Sequence, residues 1–290
     1  MPLIPHDLPG DLPALVRVVQ GLFVHSLAAG LYGLPPGRDE PEDRIRLVSG
    51  MLAAIVDRQD APLTAGRDPG SRLVGNCRHP AVLLVAMLRH KGVPARKRVG
   101  FARYLPGPHA CIHEVAQCWD AGQGRWRLVD PGNDETITAS QRAFFDAAGQ
   151  PHRAVYDTLD LGPGDFILAP AAWRGCRSGS ADPGEFGYGD DSGTRWLRIT
   201  VLQDLDALNK AELNSADSWG GPLADQTGSP PGSQVRYLDR AGTTPAEARF
   251  LDQIAGLTTD PDRYFRDMRR CYTESAWGRG VLDKLSKTVF

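Results

Sequence analysis

The stretch GNCRHPAVLLVAMLRHKGVP, residues 75–94, constrains the fold more than any other part of the chain. It is punctuated as a helix at both ends. Gly75 or Asn76 can cap the start and Pro80 suits the first turn; Arg89, His90 and Lys91 sit on the last turn before Gly92 and Pro94 end it. Its middle, Ala81 to Leu88, is apolar nearly all round, so this helix must be covered on every side. Cys77 stands at its N-terminus, where free backbone N–H groups and the helix dipole favour negative charge on sulfur and can hold an oxyanion. A cysteine that only fills space lies more often inside an element, as Cys118 and Cys271 are placed.

Three strands are expected after this helix, at about 95–104, 111–119 and 125–130, with Asp-Ala-Gly-Gln-Gly as the hairpin turn between the last two. Alternation puts His113, Val115, Gln117 and Trp119 on one strand face, and Trp126, Leu128 and Asp130 on one face of the next. A lone strand histidine can be a satisfied core residue, and an aspartate before Pro-Gly can be a turn residue. In a hairpin, however, the start of one strand lies beside the end of its partner, which makes His113 and Asp130 a candidate pair. A thiolate nucleophile, an imidazole base and a carboxylate that fixes the tautomer are the groups acyl transfer needs.

These residues resemble the transglutaminase-like superfamily of papain-like cysteine enzymes. The resemblance rests on GNCRHPAVLLVAMLRHKGVPARKRVGFARY, IHEVAQCWD and RWRLVDPGND, in that order. It implies an α+β core, a cysteine-bearing helix packed on an antiparallel sheet that carries His and Asp. By position it assigns the nucleophile to Cys77, the base to His113 and its orienter to Asp130. The flanking VVQGLFVHS, AGLYG, DPGEFG, DLDALNKAE and SWGG resemble a group of bacterial proteins of similar length. Two departures stand out: Glu114 follows the histidine where many relatives have an aromatic residue, and no tryptophan upstream of Cys77 matches the indole donor of tissue-type transglutaminases. Both point away from protein cross-linking.

Around this core, residues 11–31 and about 42–58 read as helices, and further helices are expected near 138–148, 164–174, 203–214 and 244–256. Residues 175–193 read as a loop, with a strand at 196–202 behind it. The expected organisation is a helical segment 1–59, a catalytic core 60–135 and an extension 136–290 that shapes the substrate pocket. Trp173, Trp196, Trp219 and Trp277 are expected to anchor that extension.

Asn76, Arg78 and Glu114 are candidate oxyanion or substrate-binding groups; capping, solvation or an internal ion pair are their structural alternatives. Arg96 is open to the same two readings, His79 is read as a first-turn polar residue, and Cys111 is the alternative nucleophile. His109 and His113 would lie roughly 13 Å apart on a strand, too far to share an ion. No metal and no cofactor is expected. A net charge of -2 gives no indication of a nucleic-acid partner, and no run of about 20 apolar residues is present to span a membrane. The odd set of five cysteines lacks a CxxC pair, and the N-terminus lacks a signal core, so a reduced, cytoplasmic setting is expected. The expected substrate is a small-molecule, peptide or carrier-bound acyl compound. An amide-forming acyltransferase, an amidase or peptidase, and a non-catalytic binding module remain the three functional readings.

Overall fold

Leu15, Val16 and Val19 place one buried apolar stripe on helix α1 (Leu12–Gln20). Asp11 caps it, accepting the Ala14 N–H at 2.9 Å, and Pro13 lies in its first turn. The computed structural model describes residues 4–5, 7–35, 45–211, 213 and 243–287. It divides into two units: residues 1–97 with 114–165, and 98–113 with 166–290. These units are not consecutive in the chain, unlike the expected division at 59/60 and 135/136, because strands 95–102 and 110–120 each run from one unit into the other.

In the first unit, α1 is followed by β1 (Phe23–His25), a 3-10 turn (Ser26–Tyr32), α2 (Val48–Arg58), β2 (Leu73–Gly75) and α3 (Arg78–His90). Ten of the thirteen α3 residues are buried, as an all-round apolar helix requires. Gly92 ends it with φ +79°, the left-handed conformation that glycine adopts without strain. Leu15, Val16 and Val19 of α1 and Met51, Leu52 and Ile55 of α2 share one core with Leu83, Leu84 and Met87 of α3. The loop before β2 is organised by Arg67, whose guanidinium donates to the carbonyls of Gln59, Ala61, Pro62 and Ala65. Strand β3 (Ala95–Ala102) begins here, β4 (Ala110–Asp120) ends here, and β5 (Arg125–Val129) pairs antiparallel with β4 from Asp120↔Arg125 to Ala116↔Val129. Helix α4 (Glu135–Ala147), capped by Asp134, closes the unit with the segment to 165.

In the second unit, β6 (Phe166–Leu168) pairs antiparallel with β3, β7 (Phe186–Tyr188) runs parallel to β4, and β8 (Asp191–Ser192) folds back on β7. Helices α5 (Ala169–Ser178), α6 (Thr194–Leu208), α7 (Pro245–Thr259), α8 (Phe265–Glu274) and α9 (Ala276–Lys287) supply most of its core. Trp173, Trp196 and Trp277 are buried there, each with its indole N–H on a carboxylate: Asp252, Asp191 and Asp206 respectively. Arg98 is wholly buried and forms a two-point ion pair with Asp204 of α6, at 2.9 and 2.8 Å.

The α+β class expected from the sequence is the class observed. Several elements differ. The expected helix 11–31 stops at Gln20, where the Gly21 N–H closes on Arg17, and Phe23–His25 pairs in parallel with the distant β2. The second helix starts at Val48 rather than 42, and residues 42–44 lie outside the described residues. The expected strand 196–202 is helical, continuous with the helix expected from 203. Its β-branched run is buried on all sides, and the Thr200 hydroxyl donates to the Trp196 and Leu197 carbonyls within the helix. Residues 175–193 hold the end of α5, the turn Pro183–Glu185, β7 and β8 instead of one loop. Trp219 lies outside the described residues.

Candidate active site

Cys77 is half-buried, its thiol is free, and it occupies the N-cap position of α3 with φ -54° and ψ -28°. In the first turn of α3 the His79 N–H donates to the Asn76 carbonyl at 3.1 Å, and Pro80 has no N–H. Asn76 sets this geometry: its Oδ1 accepts the Arg78 N–H at 3.1 Å, and its own backbone N–H donates to His79 Nδ1 at 3.2 Å. The buried His79 ring leaves no room on Gly75, where a β-carbon would come within 2.9 Å of the imidazole. Glycine at 75 is thus a packing requirement of the turn that presents Cys77.

Asp130 ends the strand run of β5 and is 1% exposed. Its backbone N–H donates to the Thr158 carbonyl at 2.8 Å, and its Oδ1 accepts the Gly132 N–H at 2.9 Å. The Asp-Pro-Gly turn packs on the first turn of α3: a β-carbon on Gly132 would lie 3.2 Å from Asp130 Oδ1 and 3.6 Å from Pro80 Cγ. Beyond the turn, Asn133 is held from both sides. Gln20 Nε2 donates to its carbonyl at 2.9 Å, and its own Nδ2 donates to Tyr156 Oη at 3.2 Å. Tyr156 in turn donates to Gln141. Burial, together with the nearby Asp130 charge, holds the Tyr156 hydroxyl well above the usual tyrosine range, so it stays a protonated donor.

A narrow cleft of about 10 Å³, room for about one water molecule, opens in the first unit beside residues that neighbour Cys77 and Asp130. It is lined by Gly75, Asn76, Pro80, Pro131 and Gly132 together with Phe23, His25 and Tyr32. Tyr32 donates to the Asp134 carboxylate, which also accepts the Ile137 N–H and stands 3.9 Å from Arg72. Burial and that carboxylate keep the Tyr32 hydroxyl protonated. None of His25, Tyr32 or Asp134 was singled out by sequence pattern. The available signal was Gly21 followed by Phe23-Val24, a strand-like run within an apparently continuous helical period.

His113 belongs to the second unit, on β4, and is 4% exposed. Its ring stands edge-on to Tyr104 and Phe166, with centroids 6.1 and 6.5 Å away. Cys111, the alternative nucleophile, is half-buried within β4 and aligned with Gly187, away from any helix N-terminus.

The other candidates have internal partners. Arg78 is fully buried and its guanidinium donates to the Ile45 and Arg46 carbonyls at 3.2 and 2.7 Å, which anchors the segment before α2. Glu114 is 4% exposed and its Oε2 lies 2.5 Å from Lys97 Nζ. Both side chains satisfy buried groups of the first unit. Arg96 stacks on Trp126, its guanidinium carbon 3.9 Å from the ring centroid, and donates to Gln117. Among the described residues no cluster of three or more His, Cys, Asp or Glu side chains is arranged to hold a metal ion. No described helix is long and apolar enough to cross a membrane.

Compared with known families, residues 39–131 match the transglutaminase-like superfamily, a segment that contains Cys77, His113 and Asp130. No curated protein and no solved structure matches the chain. Members of that superfamily are generally cysteine enzymes of the papain-like type. Over residues 39–131, in an α+β frame, the chain is similar to the transglutaminase-like superfamily.

Proposed function

We propose that the protein forms or cleaves an amide by acyl transfer through a thioester on Cys77, with His113 as base and Asp130 as its orienter. The observation that carries this reading is the packing of the Asp130-Pro131-Gly132 turn on the first turn of the helix that Cys77 opens. That packing supports a carboxylate and a helix-terminal thiol working in one place. His113 is chosen as base from the superfamily motif matched over residues 39–131. Ala116 pairs with Val129, the residue before Asp130, and His113 lies three positions earlier on the same strand.

In the proposed reaction the Cys77 sulfur attacks an acyl carbon and the carbonyl pair moves onto oxygen. His113 then protonates the leaving group. Asn76 is retained as a donor, since it lines the cleft. We propose a small-molecule, peptide or carrier-bound acyl compound as the substrate. The acceptor decides between ligation by an amine and hydrolysis by water.

The test is intact-mass spectrometry of the protein incubated with acyl thioesters, with and without added amines. Acyl transfer predicts a covalent adduct that amines discharge as amide, whereas an amidase or peptidase discharges it to water alone. Cys77→Ser should abolish the adduct. His113→Asn should slow acylation by about 10⁴-fold or more and Asp130→Asn by about 10³–10⁴-fold. Absence of any adduct would favour the binding-module reading.

A further inference from the structure

A buried carboxylate points where its donors hold it. Asp130 Oδ1 accepts the Gly132 N–H at 2.9 Å, so the direction of this carboxylate depends on the shape of the turn 130–133. One short segment, 156–158, holds both ends of that turn. The Thr158 carbonyl accepts the Asp130 N–H at 2.8 Å, and the Tyr156 hydroxyl accepts from Asn133 Nδ2 at 3.2 Å. Tyr156 donates its own proton to Gln141 of α4, and Gln20 of α1 donates to the Asn133 carbonyl at 2.9 Å. Asn133 and Gln141 are 6% and 3% exposed and Tyr156 is half-buried, so water competes little for these bonds. The Asp130 charge reaches the Tyr156 hydroxyl as well: after burial, it is the largest influence that keeps the phenol protonated. Tyr156 therefore stays neutral and adds no second negative charge beside Asp130. Asn133, Gln141 and Tyr156 all lie beyond residue 131, where the family match ends.

We infer that Tyr156, acting through Asn133, is a positioning residue for Asp130, holding its carboxylate in the orientation that the proposed reaction uses. The inference rests on the reading of Cys77 as nucleophile and of Asp130 as orienter. Gln141 takes the hydroxyl proton, which leaves the Tyr156 oxygen lone pairs to accept from Asn133. Asn133 then fixes the far end of the turn, the turn aims the Gly132 N–H, and that N–H holds Asp130 Oδ1. A carboxylate displaced by about 1 Å loses much of its hold on an imidazole's tautomer and charge. Phenylalanine at 156 keeps the ring and its packing but takes away both hydrogen bonds.

Two variants break the series at different links. Tyr156→Phe removes the hydroxyl, and Asn133→Ala removes the amide while leaving Tyr156 on Gln141. Each is made in the native chain and in Asp130→Asn, and each is checked for native near-UV circular dichroism. Cys77 acetylation by p-nitrophenyl acetate is followed by intact mass, with Cys77→Ser as the background. Each variant is expected to slow acetylation about 10- to 100-fold in the native chain. In Asp130→Asn, where no carboxylate is left to position, the same change should slow it by less than about two-fold. The pH dependence of Cys77 alkylation by iodoacetamide gives a readout that lost stability does not move. A loosened carboxylate supports the imidazolium of the proposed base less, so the thiolate forms at higher pH and the rise in rate moves up by about 0.5–1 unit. Equal slowing in both backgrounds, no slowing in the native chain, an unmoved pH dependence, or loss of the native near-UV signal in both variants overturns the positioning role and leaves the Cys77 reading standing. A native chain that gives no Cys77-dependent acetyl adduct overturns the Cys77 reading, and this inference with it.

Discussion

At the scale of single residues, four cysteines give contrasting chemistry within one chain. Burial pushes the Cys118 thiol up. Cys176 is pushed up to about 11, by burial first and then by Glu185 and Asp182. Cys271 is raised by burial and by Glu274. All three remain thiols at neutral pH and should alkylate slowly, because the thiolate is the nucleophile. Cys77 is half-buried like Cys176 and Cys271, but of these four it alone stands at a helix N-terminus. With limiting iodoacetamide at about pH 6.5, peptide mapping should find Cys77 labelled at least about ten-fold faster than Cys118, Cys176 or Cys271. Labelling spread evenly over the cysteines would remove the case for a special sulfur at position 77. The sequence made Cys77 legible because caps are local: Pro80, Gly92 and the basic last turn fix the helix ends within a few residues. It left Arg78 and Glu114 open because their partners, the Ile45 and Arg46 carbonyls and Lys97, are set by tertiary packing.

At the scale of elements, legibility followed the range of the contacts that decide each one. The hairpin β4–β5 and helices α3 and α7 were readable, since turns, caps and periodicity are written in adjacent residues. Strands β1, β2, β6 and β7 were not, because each is three residues long and pairs with a partner far away in sequence. Helix α6 was misread for a different reason. Burial on all faces removes the amphipathic period, and Ile199-Thr200-Val201 then reads as strand. The α5–α7 contact gives a measurable consequence of such long-range pairing. Asp252 of α7 accepts the Trp173 indole N–H at 2.8 Å and two Arg177 N–H groups at 3.0 Å. The Arg177 hydrogen bond, helped by Trp173, holds the Asp252 carboxyl below its usual value of 3.8. A depressed folded value means that the stabilisation is present above about pH 4 and is lost as pH falls through the folded value. Asp252→Asn should therefore lower the melting temperature by about 1–3 °C at pH 7, and by less at pH 3. A drop of the same size at both pH values would mean that packing rather than charge sustains the contact.

At the scale of the molecule, the two units are stitched from non-consecutive segments, and the N-terminal helices are part of the core that holds Cys77. Leu15, Val16, Val19 and Leu22, with Met51, Leu52 and Ile55, are each at most 3% exposed and pack with Leu83, Leu84 and Met87 of α3. Burying side chains of this kind is worth about 1.5–3 kcal/mol each, so together they contribute roughly 10–20 kcal/mol. That equals or exceeds the ~5–15 kcal/mol net stability of ordinary domains. β1 contributes as well, because Phe23–His25 is the parallel partner of Leu73–Gly75, the strand that leads to Cys77. A chain beginning at residue 60 would retain the segment that bears Cys77, His113 and Asp130, yet it would expose the apolar face of α3 and leave β2 without its partner. Such a chain is expected to lose near-UV circular dichroism, to bind a hydrophobic dye, and to lose hydrogen-exchange protection along residues 78–90. Helices α5 to α9 draw on a separate core, so protection there should persist longer than in α3. A cooperative melt with native near-UV signal from the shortened chain would show that residues 60–290 hold α3 without the N-terminal helices, and the cleft would then have to be built without β1.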